Sequence, residues 1–84
     1  MLSKTIALQR KLKLIWDFRG SDALEMAKHH CIHLTEFAEK EDLSFYKADH
    51  HSYSDVYTIA YIIIDETQMV TYRDALKPHR GEVA

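Results

Sequence analysis

The stretch DVYTIAYIII, residues 55–64, is apolar on both of its alternating faces. Side chains of a strand point to opposite sides with a period of two. One face then carries Val56, Thr58, Ala60, Ile62 and Ile64, and the other Tyr57, Ile59, Tyr61 and Ile63. A half-solvated strand shows one polar face, so this segment predicts a central strand covered on both sides. The rest of the chain has to be arranged around it.

KLKLIWDF, residues 11–18, alternates instead. Leu12, Leu14, Trp16 and Phe18 share one face, and Lys11, Lys13, Ile15 and Asp17 the other, which predicts a half-buried strand. RGSD breaks the pattern, and Asp22 with Glu25 three residues on has the form of a capping box opening a helix over 23–41. SFYKAD, residues 44–49, predicts a second strand, HHSYS a polar turn, and 55–64 the third strand. Asp65 and Gln68 suggest another capping box, opening a helix through Met69, Tyr72 and Leu76 that stops at Lys77, before Pro78. Residues 78–84, ending in HRGEVA, read as a loose tail, and residues 1–10 as an extension or added element.

The predicted order is β-α-β-β-α within a single domain, since chains divide only at two or three times 84 residues. A right-handed crossover makes the first two strands parallel, and the third enters antiparallel between them. The expected fold is an α+β two-layer sandwich, with a three-stranded mixed sheet and both helices on one face. The open face carries either the tyrosine–isoleucine set or its opposite, with only residues 1–10 left to cover it. Such a surface marks a partner site. Tyr57, Ile59, Tyr61 and Ile63 are therefore the candidate interface residues, and a homodimer the expected assembly.

A net charge of −2 lacks the basic footprint of a nucleic-acid binder. The cluster Arg10, Lys11 and Lys13 alternates with apolar residues and reads as the solvated side of a strand. One cysteine leaves no internal disulfide and suits a reducing compartment. MLSKTIALQRK has no apolar run of signal-peptide length, and IAYIII falls far short of the roughly 20 residues that cross a bilayer. A soluble cytoplasmic protein without a membrane partner is expected.

AKHHCIHLTEF, residues 27–37, is the most chemically loaded segment. At about 100° per residue, Ala27, Cys31, Leu34 and Ala38 form the apolar stripe of the helix, with Ala23 and Leu24 beside it. His30 edges this stripe on the side of Phe37. His29, His33 and Glu36 lie opposite, so the histidines form two groups. His29 and His33, four apart, can chelate one metal ion, with Glu36 as a third ligand. Structural zinc takes four protein ligands, though, and catalytic zinc three with supporting hydrogen bonds, which an exposed helix face does not offer. The competing reading is a solvated face, and no cofactor is expected. His50 and His51 join only if their turn folds over this face. His30 is expected to be a neutral histidine packed at the core edge, or else an acid or base beside a pocket. Cys31, on the stripe, should behave as a small hydrophobe with a raised pKa.

DFRGSD, residues 17–22, leads from a strand to a helix start, a location that often binds anions. Asp17, Arg19, Gly20 and His30 are the candidate ligand-binding residues there. Against this, Asp22 already places a negative charge at the helix start, and one glycine is far from a phosphate-binding loop. Arg73 and Asp74 read as solvent-facing.

At WDFRGSDA, AKHHCIHL and YRDALKPHRGE, across residues 12 to 81, the chain resembles a small group of bacterial proteins of similar length. The resemblance implies no activity, cofactor or ligand. No convergent catalytic set is visible, so the expected function is a non-enzymatic interaction or structural module. A metal-binding protein using His29 and His33, and a ligand or enzymatic site around Asp17, Arg19 and His30, are the alternatives.

Overall fold

A computed structural model describes residues 10–84. The elements are β1 (Lys11–Arg19), α1 (Ala23–Lys40), β2 (Lys47–Ser54), β3 (Tyr57–Asp65), a 3₁₀ turn (Glu66–Gln68), α2 (Met69–Leu76) and β4 (Arg80–Val83). The class is α+β, with the sheet in the order β2-β3-β1-β4. The notion of 1–10 as an extension falls on residues outside those described, apart from Arg10.

The doubly apolar segment is central, flanked by β1 and β2. Both ladders are antiparallel, with Leu14 opposite Ile62 and Ala48 opposite Ile62 on the other side. β1 and β2 therefore run in the same direction, joined by α1, as the crossover requires. Because β3 lies between them, no two neighbouring strands are parallel. Among the described residues the sheet is antiparallel and four-stranded, which corrects the expected three-stranded mixed sheet.

The fourth strand is the tail expected to be loose. Its backbone completes the free edge of β1: His79 N–H donates to the Ile15 carbonyl at 2.9 Å, and Ala84 N–H to that of Lys11 at 2.9 Å. Gly81 fits over Leu14, whose Cδ2 would lie 3.3 Å from an added Cβ.

The second strand is displaced from 44–49 to 47–54, so HHSYS is strand and the turn falls at Asp55 and Val56. An edge strand needs few apolar residues, because its inner partner supplies the core. β2 carries Ala48, His50 and Ser52 beside Ile62, Ala60 and Thr58, and a bulge follows between Ser52 and Ser54. Ser52 and Thr58 pair their hydroxyls at 2.8 Å.

Leu14, Trp16, Leu34, Ala38, Ile62, Ile64 and Tyr72 form the buried core, on the sheet face covered by α1 and α2. The stripe of α1 holds at Ala23, Ala27, Leu34 and Ala38, all fully buried. Leu24, placed beside it, is 38% exposed. Phe37 packs on Tyr72 of α2, ring centroids 5.7 Å apart, so both helices share one face. Trp16 ties α2 to the sheet by donating its indole N–H to the Leu76 carbonyl at 2.8 Å. α2 ends there, with Lys77 in the left-handed region before Pro78.

Neither capping box forms. Asp22 and Asp65 sit at the helix starts without side-chain capping bonds. Glu25 approaches Lys28 at 3.9 Å instead, and Asp65 accepts the Tyr46 hydroxyl at 2.6 Å. No described helix is long and apolar enough to cross a membrane.

Candidate functional site

The sheet face away from the helices carries Ile15 and Asp17 of β1, Tyr57, Ile59, Tyr61 and Ile63 of β3, and Arg80 of β4, placed together by strand register. No described element stacks on it. Ile15 and Ile59 are nonetheless only 1% exposed. Ile15 stands between Tyr61 and Arg80 on the two neighbouring strands, and Ile59 between Asp17 and His51. The face is thus not a bare apolar patch. Its outer layer is aromatic rings and charges, with Tyr57, Tyr61 and Ile63 half-buried.

The cations lie on the rings. Lys13 Nζ is 4.4 Å from the Tyr61 centroid, Lys11 Nζ 4.3 Å from that of Tyr46, and the Arg19 guanidinium 4.0 Å from that of Tyr57. Such pairs add about 0.5–1 kcal/mol each at exposed sites. Tyr53 stacks on Tyr57 at 5.1 Å, and His51 meets Tyr53 edge-on.

At the centre of this lattice is Asp17. Its Oδ1 accepts the Tyr57 hydroxyl at 2.6 Å and Arg80 Nη2 at 3.2 Å, while Oδ2 accepts Arg80 Nε at 3.3 Å. The Arg80 bonds hold the carboxyl below its ordinary pKa, against the opposing effect of burial and with further help from Tyr57. Asp17 N–H donates to His79 Nδ1 at 2.8 Å, which puts the proton of a neutral His79 on Nε2. Both oxygens of this carboxylate are engaged, and through them Asp17 links β1 to β3 and β4.

The ligand site expected at Asp17, Arg19, Gly20 and His30 does not converge. Asp17 and Arg19 share the open face, but His30 lies on the other side of the sheet, its ring 4.8 Å from that of Trp16 and 5.6 Å from that of Phe18. Gly20 has φ +115° and open space around its absent side chain, so the backbone angle alone requires glycine. The partners of Asp17 are instead Arg80, His79 and Tyr57. Nothing local could indicate them, because they lie 40 to 63 residues away.

His30 sits at the core edge as the helical wheel places it, with a buried Nε2 that has no hydrogen-bond partner. Burial lowers its pKa, and His33, His79 and His29 act in the same direction. Cys31, half-buried, has its thiol pushed up to about 11, first by burial and then by Asp49. It is a weak nucleophile.

On the solvent face of α1, His29 Nε2 and His33 Nε2 are 3.0 Å apart, and Glu36 Oε1 lies 3.6 Å from His33 Nδ1. Among the described residues no three histidine, cysteine or acidic side chains are placed to hold a metal ion together. Glu36 addresses the far nitrogen of His33 and so does not complete a three-ligand set. His50 and His51 belong to β2 and join neither histidine group. An open recess of about 540 Å³ lies where the start of α1 meets the β2–β3 turn, lined by Ser21, Glu25, Ser52, Tyr53 and Asp55 among others.

Compared with protein-family models, curated proteins and solved structures, the chain matches none. The resemblance at WDFRGSDA and its companion motifs therefore gains no support from these comparisons.

Proposed function

We propose that this protein is a non-enzymatic interaction module that pairs with a second copy of itself through the open face of the sheet. The observation that carries the reading is the strip Tyr57, Ile59, Tyr61 and Ile63, running along the central strand of a face on which no described element stacks. Tyrosine and arginine are the residues that anchor interfaces, because they offer large contact areas with a polar tip. A second copy suits the charge pattern. Lys11, Lys13, Lys47, Arg19 and Arg80 stand among Asp17, Asp49, Asp65 and Glu82, so the face carries both signs of charge, which a self-pairing surface requires. A nucleic-acid partner would call for one sign of charge, and the chain carries −2 overall. The single thiol at Cys31 is compatible with a cytoplasmic setting.

Sedimentation of the full chain at tens of micromolar tests the assignment. A two-chain species that Tyr61→Glu or Ile63→Glu converts to a folded monomer supports it. A monomeric wild-type chain, or a dimer untouched by both substitutions, overturns it.

A further inference from the structure

The solvent face of α1 carries an arrangement that self-association does not use. His29 and His33, one helical turn apart, turn their Nε2 atoms toward each other at 3.0 Å, with the rings nearly perpendicular at 88°. When both imidazoles are neutral, the two nitrogens share a single proton, one donating and the other accepting. A metal ion in place of that proton would find two lone pairs already converged. With metal–nitrogen bonds of about 2.0–2.1 Å, a separation of this size corresponds to a nitrogen–metal–nitrogen angle of roughly 90–100°. That is the cis angle of square-planar and octahedral sites, and it is narrower than the tetrahedral angle zinc adopts.

The second nitrogen of His33 is also addressed. Glu36 Oε1 lies 3.6 Å from Nδ1, on the side of the ring away from His29. The charge of a carboxylate there favours a proton on Nδ1, leaving Nε2 free to ligate. Glu36 is thus a positioning residue rather than a third ligand. Among the described residues no further ligand joins the pair, so water would fill the remaining positions. The helix backbone keeps the two ligands at fixed spacing whether or not an ion is bound.

We propose that His29 and His33 form a two-imidazole chelate for an exchangeable copper(II) or nickel(II) ion, with the charge of Glu36 favouring the ligating tautomer of His33. The site binds in the micromolar range rather than tightly, because only two protein ligands contribute. Binding requires both imidazoles neutral, so affinity falls as the solution is acidified.

The test is calorimetric titration of the full-length chain, free of any histidine tag, with nickel(II) at pH 7.5. One ion per chain is expected, with zinc(II) binding more weakly than nickel(II). His29→Gln and His33→Gln should each weaken binding by about tenfold or more. Glu36→Gln should weaken it several-fold and shift the pH midpoint of binding, which a merely structural role would not do. All three positions are exposed, and circular dichroism checks that the variants fold. The double variant His50→Gln, His51→Gln should bind as the wild type does. Copper(II) should broaden NMR signals around residues 29 to 33 first. Absence of binding below millimolar nickel overturns the proposal, as does unchanged affinity in either single-histidine variant. Loss of binding in the His50, His51 variant, or zinc binding more tightly than nickel, overturns it too.

Discussion

Arg80 reaches across from the last strand to hold both oxygens of Asp17, with Nε 3.3 Å from Oδ2 and Nη2 3.2 Å from Oδ1. β4 is four residues long, with all four positions exposed. Its attachment therefore rests on the backbone ladder to β1 and on this pair. Asp17→Asn keeps the shape and removes the charge. Amide exchange in β4 should then rise on the order of tenfold while the β1–β3 ladder is unaffected. Equal acceleration in both ladders would show that Asp17 supports the whole sheet instead.

The same carboxylate sets an acid limit. Its folded pKa lies below the ordinary value, so the unfolded chain binds the extra proton first as pH falls. Stability from Asp17 is complete above the unfolded value near 3.8 and is lost as pH falls through the folded value. Denaturant midpoints of the wild type and Asp17→Asn should differ by a constant amount above about pH 4 and converge as pH falls from there through the folded value. Curves that stay parallel through this window would count against the linkage.

His30 acts at higher pH. Its folded pKa is depressed by burial, so stability from it is present above the unfolded value near 6.5 and falls as pH drops toward the folded one. The indole of Trp16, 4.8 Å away, supplies the readout, since a protonated imidazole quenches it. Trp16 emission should titrate with a midpoint below 6.5 and lose that transition in His30→Leu. The same variant removes a buried, unpartnered nitrogen. It should be more stable at neutral pH by about 1 kcal/mol, or roughly 4–8 °C in Tm for a domain of this size. A destabilised variant would mean that Nε2 has a partner in solution.

Cys31 should be nearly inert. With its thiol pushed up to about 11, little thiolate exists at neutral pH. Iodoacetamide should modify the native chain far more slowly than the urea-unfolded one. Comparable rates would show that the apolar stripe of α1 opens readily.

The parts of the fold that could be read from the chain are those whose periodicity reflects burial. β3 is apolar on both faces because it is central, β1 alternates because its outer face is half-solvated, and the small residues of α1 mark where helix meets sheet. β2 escaped because an edge strand borrows its core from its neighbour, so HHSYS carries turn chemistry in an extended segment. β4 escaped because its four residues include one large apolar side chain, Val83, and their partner strand starts 69 positions earlier (80 against 11). The two histidine groups of α1 followed from helical geometry alone. The Asp17–Tyr57–Arg80 cluster did not, because it is assembled entirely by strand register between distant segments.

Trp16 should prove the most consequential hydrogen-bonding side chain of the core. The residue is 3% exposed, and its indole N–H reaches Leu76, the last residue of α2. Carbonyls in the final turn of a helix have no partner within the helix, so this bond satisfies a group that would otherwise be orphaned beside the core. Trp16→Phe removes the donor and also leaves unfilled volume, and should cost about 2–4 kcal/mol. Tyr72→Phe provides the comparison. It loses only the hydroxyl that donates to the Ser44 carbonyl at 3.1 Å, and should cost about 1 kcal/mol. Urea denaturation followed by circular dichroism measures both. If α2 is held mainly by this indole, Trp16→Phe should also raise amide exchange throughout residues 69–76, and Tyr72→Phe far less. Equal costs for the two variants, with no selective exchange in α2, would place the anchoring of that helix in its apolar contacts instead.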